Sequence, residues 1–277
     1  MSTSGSTGSG SSQEVLPEEL HDFVRDLAQR TGELQLSRYE KPGEIKEKAP
    51  KDLVTEVDLL CEDFLMDEIR KRYPDDAILS EESGGEISPT GHTWLLDPLD
   101  GTHNFSRANP LFCACVSVVE DDKIKHAAVA IPRIGDVYHA SLGDGAFRDT
   151  GGETYPLHVG DTEKLEHAFV GADVALSNAG GNPQKERILE VFRSCWQLRS
   201  LGSAGIRGAW LAAGYLDVSI GTRNTVWDYA PTTLLVSEAG GHVTNLSGNP
   251  WTYDSDGLLA TTNEALHAEV LKLIAGS

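Results

Sequence analysis

The segment Asp97-Pro98-Leu99-Asp100-Gly101-Thr102 constrains this chain most, because it sets two carboxylates three residues apart directly after the apolar run Trp94-Leu95-Leu96. An apolar run closed by Pro and then Asp-Gly reads as a buried strand entering a turn. Two acidic side chains held that close repel each other unless a cation lies between them. Hard oxygen ligands of this kind suit magnesium better than zinc. An ordinary Asp-Gly turn, with Asp97 as a local cap, is the competing reading of this segment alone.

Other segments shift the balance. Ile78-Leu79-Ser80-Glu81-Glu82-Ser83 is again a short apolar run ending in carboxylates, and Val226-Trp227-Asp228-Tyr229-Ala230-Pro231 precedes Glu238-Ala239-Gly240-Gly241. With Asp52-Leu53-Val54-Thr55-Glu56-Val57-Asp58, these segments form four marks in the order of the inositol monophosphatase family, which the chain strongly resembles from about Leu20 to about Leu273. That family also holds fructose-1,6-bisphosphatases, histidinol-phosphate phosphatases and phosphoadenosine-phosphate phosphatases.

Length and charge limit the alternatives. The 277 residues, 39% of them hydrophobic, can supply a substantial core. A net charge of -20 argues against nonspecific binding to nucleic acid or to an anionic membrane. Phosphate recognition must then be local, and the spread acidic excess reads as a solvated surface, with adaptation to salt as the other explanation. Cys61, Cys113, Cys115 and Cys195 lack paired metal-ligand spacing, and no secretory segment is recognisable, so a reducing cytoplasm is expected. Cys113 and Cys115 would face the same side of a strand, where buried thiols packing as small hydrophobes are favoured over a redox pair. No apolar run is long enough for a spanning helix.

The Ser-, Thr- and Gly-rich residues 1–13 read as a flexible tail. Residues 14–277 read as a single catalytic domain, with an α+β half over 14–150 and an α/β half over 151–277. Helical spacing of Leu16, Leu20, Phe23, Val24 and Leu27, and of Phe64, Leu65 and Ile69, predicts two opening helices, the second from near Thr55. Lys41 to Lys51, with two prolines, a glycine and mixed charge, reads as a mobile loop. Strands are predicted at Leu111–Val119, Lys125–Ile131, Asp136–Ser141, Ala168–Ala172, Gln197–Leu201, Leu216–Ile220 and Gly257–Thr261. Helices are predicted at Gln184–Arg193, Ser203–Ala213, Tyr229–Glu238 and Glu264–Ile274. The resemblance implies an α+β fold, the layered α-β-α-β-α sandwich of the inositol monophosphatase and fructose-1,6-bisphosphatase type, with the site where the halves meet.

It also implies magnesium-dependent, lithium-sensitive phosphomonoester hydrolysis. One Mg2+ would take Glu81, Asp97 and the Leu99 carbonyl, and a second would take Asp97, Asp100 and Asp228. A weaker third would rest on Glu81 and water. Thr102, oriented by Asp58, would partner the attacking water, and the amides of Gly101 and Thr102 would meet a phosphate oxygen. Thr102 is also a candidate cap for the segment beginning near His103, and of Asp52 and Asp58 one would cap a helix while the other faces the site.

Substrate contacts are implied at Gly202-Ser203-Ala204, with Asp100 and Asp228 nearby. The carboxylate that meets inositol hydroxyls in animal members, seven residues before the Trp-Asp aspartate, falls here on Gly221. Arg223 stands near this point as a contact for a second phosphate or as a surface residue. Lys46, Glu47 and Lys48 straddle the position of a loop lysine that some members carry near the third metal. Inositol monophosphate is the first expected substrate, then fructose-1,6-bisphosphate and histidinol phosphate, with phosphoadenosine phosphate less favoured. A catalytically silent regulatory member is the alternative class. A homodimer is implied by the family alone, whereas it is the acidic charge that argues against nucleic-acid or membrane partners.

Overall fold

The computed structural model describes residues 17–50, 52–173, 183–222, 225–255 and 257–276. The expected tail at 1–13 and Arg223 lie outside the described residues.

Helix α1 (Pro17–Ser37) buries Leu20, Phe23, Val24 and Leu27, the face its apolar spacing predicts. Where the sequence reads as a mobile loop, β1 (Ile45–Ala49) and β2 (Asp52–Thr55) form an antiparallel hairpin. All five residues of β1 are exposed, so no apolar alternation marks the strand. Thr55 then caps α2 (Glu56–Arg72). Its hydroxyl accepts from the Val57 amide, while the Asp58 carboxylate accepts from the Thr55 amide. Neither Asp52 nor Asp58 is therefore the cap residue itself.

Next come β3 (Ala77–Ser80), β4 (Thr93–Asp100), the short α3 (Thr102–Ser106), β5 (Cys113–Glu120), β6 (Lys123–Ile131), β7 (Asp136–Ser141), β8 (Gly145–Thr150) and β9 (Glu153–Pro156). These strands lie in sequence order in one sheet, antiparallel except for the β3–β4 pair. The remainder is β10 (Phe169–Ala172), α4 (Pro183–Ser194), β11 (Gln197–Arg199), α5 (Ala204–Ala212), β12 (Val218–Gly221), α6 (Val226–Glu238), β13 (His242–Thr244), β14 (Leu258–Thr261) and α7 (Glu264–Ala275). Its sheet has the order β11-β10-β12-β14-β13.

Burial defines the layers. Leu27 of α1 and Leu65 of α2 pack on Trp94 and Leu96 of the first sheet. On the opposite face, Leu95 meets Ile206 of α5 and Leu235 of α6, which also cover Leu258 and Ala260 of the second sheet. Ile188 of α4 and Val270 of α7 close the far side against Val170, Val218 and Leu259. The order is α-β-α-β-α, as the resemblance implies. Among the described residues, no helix is long and apolar enough to cross a membrane.

Strand β4 is buried along its whole length, which explains its continuous apolar run. It extends through Asp100 instead of turning after Leu96, because a bulge accommodates Pro98. Asp97 pairs with Cys115 and Asp100 with Cys113, so β4 spends one residue more than β5. That extra residue matters for the site. Positions three apart on a regular strand face opposite sides, and the bulge brings both carboxylates to one side.

Candidate active site

The end of β4, the β1–β2 hairpin, the loop after β3 and the starts of α3 and α6 surround a cavity of about 440 Å³. Asp97, Asp100 and Asp228 present carboxylate oxygens that all lie within 4.8 Å of one another. Asp228 arrives on the first turn of α6, about 130 residues after the other two. Their hydrogen bonds separate their duties. Asp100 Oδ2 accepts from Ser203 Oγ at 2.6 Å, the Gly205 amide at 2.7 Å and Cys113 Sγ at 3.4 Å. Asp100 also lines the cavity. Asp97 Oδ1 accepts from the Leu99 amide at 3.0 Å.

Burial and mutual repulsion set the electrostatics. Burial, then the charges of Glu81, Asp100 and Asp228, push the Asp97 carboxyl well above the usual range. Asp228 is pushed up to about 7, chiefly by burial and then by Asp100. Asp100 also rises through burial, against the hydrogen bonds from Ser203 and Gly205. A largely buried all-oxygen set of this kind, whose carboxyls are all pushed toward the neutral form, fits a hard divalent cation.

Glu81 and Glu82 follow β3, and the Glu81 amide donates to the Leu96 carbonyl at 3.1 Å, which ties this loop to β4. The buried Glu62 carboxylate secures it further by accepting from the Ser83 amide at 3.0 Å. Lys48 Nζ reaches over from β1 to Glu81 at 2.8 Å and Glu82 at 2.6 Å. Lys46, by contrast, pairs with Glu44 at 3.0 Å on the surface. Lys48 is thus the lysine that the hairpin delivers to the site. Burial would lower its ammonium, but Glu81 and Glu82 outweigh that and raise it. Burial also raises both carboxyls, Glu82 to about 7, with Lys48 opposing.

Thr102 Oγ1 lies 2.9 Å from Asp58 Oδ1 and 3.1 Å from the Leu99 carbonyl, so its single proton has two acceptors. Asp58 Oδ2 is engaged by the Thr55 amide at 2.9 Å and the Thr55 hydroxyl at 2.5 Å. One carboxylate therefore completes the helix cap and faces the site. Burial raises its pKa, against hydrogen bonds from Thr55 and Thr102. Gly101, not Thr102, is the residue preceding the α3 helix; its φ is 91°, and a Cβ there would stand 2.9 Å from the Leu111 carbonyl oxygen. Asp52 lines the cavity from β2, and His103 lines it from an exposed position.

Gly202 reaches the cavity wall, whereas Ser203 is 2% exposed and turns its hydroxyl inward. Ser203 caps α5, accepting from the Ile206 amide while donating to Asp100. Behind Gly202, Asp173 Oδ1 accepts from the Gly202 amide at 2.9 Å, and the other oxygen of Asp173 pairs with buried Arg207. Sequence reasoning did not single out Asp173 and Arg207; no local motif joins residues so far apart. At Gly221, a Cβ would stand 2.2 Å from the Tyr229 hydroxyl, so Tyr229 leaves no room for a side chain.

This geometry has many counterparts. Residues 16–277 match the inositol monophosphatase family. The fructose-1,6-bisphosphatase/inositol-1-monophosphatase of Thermotoga maritima is 32% identical over 91% of this chain and 94% of its own. A Mycobacterium tuberculosis histidinol-phosphatase is 31% identical over 80% of this chain and 85% of its own. The solved Thermotoga maritima IMPase superposes with a TM-score of 0.83 at 30% identity, covering 94% of this chain and 97% of that one. With the cavity carboxylates, the layered fold and nearly the whole chain matched, this protein is a phosphatase belonging to the inositol monophosphatase family.

Proposed function

We propose that the protein is a magnesium-dependent, lithium-sensitive phosphomonoesterase whose preferred substrate is inositol monophosphate. The observation that carries this reading is the convergence of buried Asp97 and Asp100 with half-buried Asp228 beside the Thr102–Asp58 pair. Residues 14–277 act as one catalytic domain, because Asp228 of the second half completes the carboxylate set of the first.

Glu81, Asp97, the Leu99 carbonyl, Asp100 and Asp228 would hold the ions. When bound, Mg2+ makes a water more acidic and offsets charge on the phosphoryl and leaving oxygens. Thr102 Oγ1 accepts a proton from the attacking water while its own proton moves to Asp58 Oδ1, so the pair orients and activates the nucleophile. The amides of Gly101 and Thr102 take a phosphate oxygen, and Gly101 without a Cβ allows close approach. Lys48 tempers the charge of Glu81 and Glu82, and Ser203 positions Asp100. Around the leaving group, Gly202 shapes the wall, Ala204 is a further candidate contact, and Arg223 is the candidate for a second phosphate or a carboxylate. The enzyme works as a homodimer in the cytoplasm.

Fructose-1,6-bisphosphate is the second reading, favoured by the double name of the Thermotoga maritima relative. Phosphate release from inositol 1-phosphate, fructose-1,6-bisphosphate, histidinol phosphate and phosphoadenosine phosphate, each with and without magnesium, decides among them. Fastest turnover on inositol 1-phosphate supports the proposal. Faster turnover on another member of the panel replaces that substrate, and no release from any of them favours the silent regulatory class.

A further inference from the structure

Directly behind Asp100, the facing side chains of β5 and the start of α5 enclose a second donor set. Cys113 and Cys115 are fully buried and Ser203 nearly so. Cys113 Sγ lies 3.8 Å from Cys115 Sγ and 3.4 Å from Asp100 Oδ2, and the three ligand atoms all fall within 4.8 Å of one another. A tetrahedral zinc ion, with bonds of about 2.3 Å to sulfur and 2.0 Å to oxygen, needs a sulfur–sulfur separation of about 3.8 Å and a sulfur–oxygen separation of about 3.5 Å. The Cys113–Cys115 and Cys113–Asp100 distances agree with that requirement. Ser203 Oγ, 3.5 Å from Cys113 Sγ and hydrogen-bonded to Asp100 Oδ2 at 2.6 Å, is the nearest further oxygen donor and must release Asp100 to serve as a fourth ligand.

The chain at Gly205 passes close to these donors. A Cβ built on Gly205 would stand 2.5 Å from Cys115 Sγ, 2.8 Å from Cys113 Sγ and 3.1 Å from Asp100 Oδ2. Gly205, having no side chain, thus lets the start of α5 pack directly against all three donor atoms. A disulfide is the wrong use for these thiols. Both cysteines are free, and their sulfurs stand 3.8 Å apart, well beyond the bond length of about 2.05 Å in a disulfide.

The geometry points to an inhibitory site for a thiophilic divalent cation, of the zinc or cadmium class, formed by Cys113, Cys115 and Asp100 with Ser203 or water as fourth ligand. The ion enters through the catalytic cavity, which Asp100 lines. The two thiols release their protons to solvent as the ion binds. Binding draws Asp100 Oδ2 away from Ser203 and the Gly205 amide, and the displaced carboxylate no longer keeps its place in the cavity wall. This inhibition rests on the phosphatase reading above, whereas binding of the cation does not.

The test titrates cadmium ion into the full chain held at saturating magnesium, and follows thiolate-to-cadmium charge-transfer absorption together with phosphate release. The site predicts absorption saturating at one cadmium per chain, with activity falling in parallel by about tenfold or more, the scale of disturbing a metal ligand's partners. A dithiol chelator, which leaves magnesium in place, reverses both. The absorption disappears in Cys113→Ala/Cys115→Ala and persists in Cys195→Ala. Absence of charge transfer in the unsubstituted protein overturns the site, even where the double variant fails to fold. Unchanged absorption in a folded double variant also overturns it. Absorption without loss of a measurable phosphatase activity upholds the cation site and refutes its inhibitory role, and absence of phosphatase activity before cadmium is added refutes only the phosphatase reading.

Discussion

The Thr102 hydroxyl meets the Asp58 carboxylate at 2.9 Å across 44 residues of chain, and the same carboxylate closes the capping box of α2 with Thr55. Helix formation and site geometry are thereby joined in one side chain. Thr102→Ala lowers kcat by about 10²–10⁴, the range for a positioned proton-transfer group, with little change in KM. Asp58→Asn does likewise and destabilises the fold by about 1 kcal/mol through the weakened cap. In a double-mutant cycle the two kcat losses overlap instead of multiplying. Multiplicative losses reject a shared water.

Lys48 occupies Glu81, a proposed magnesium ligand, and so competes with the ion. Lys48→Ala lowers the magnesium concentration for half-maximal activity by about fivefold, equivalent to the ~1 kcal/mol of a partly exposed ion pair. Magnesium titration of activity checks this, and a rise in that concentration shows that Lys48 assists the ion instead.

Buried histidines make the fold sensitive to acid. His267 sits between Thr244 Oγ1 at 2.8 Å and Thr261 Oγ1 at 3.0 Å, and burial, then His242, lowers its pKa to about 4. The unfolded chain protonates this ring near its ordinary 6.5, so between those values the unfolded state binds more protons and stability falls as pH falls. The buried site carboxylates, whose pKa values are raised, act with the opposite sign, so the contribution of His267 is read as a difference between proteins. Urea unfolding at pH 7 and pH 5 shows the native protein losing about 2 kcal/mol more than His267→Asn. Equal losses contradict a neutral buried imidazole.

How much of this was legible depended on whether the signal was local. The carboxylates at Glu81, Asp97, Asp100 and Asp228 stand in short motifs beside apolar runs, and the structure gathers them at one cavity. The bulge in β4 was not legible, because Pro98 and Asp100-Gly101 carry the same signal in a turn as in an interrupted strand. Nor was the hairpin that delivers Lys48, since its first strand is solvated on both faces and lacks the apolar period of a half-buried strand. Strands β8 and β9 escaped for a related reason, being mostly polar at the sheet margin. Ser203 illustrates another limit. Its place in a family motif suggests the substrate, yet only the packing of α5 against β5 reveals that its hydroxyl faces Asp100.

The proposed magnesium site is tested most directly by phosphate release from inositol 1-phosphate, measured with and without magnesium for the native chain and Asp97→Asn, with thermal unfolding followed in parallel. Asp97 is the carboxylate shared by both proposed ions. The native chain is expected to turn over only with magnesium and to unfold at a higher temperature when magnesium is added, as binding to the folded state requires. In Asp97→Asn, turnover falls below about a tenth of the native rate and the magnesium-induced shift vanishes, while the metal-free fold persists with one repelling charge fewer. Turnover without magnesium, or Asp97→Asn retaining more than about a tenth of the native rate at saturating magnesium, contradicts the account.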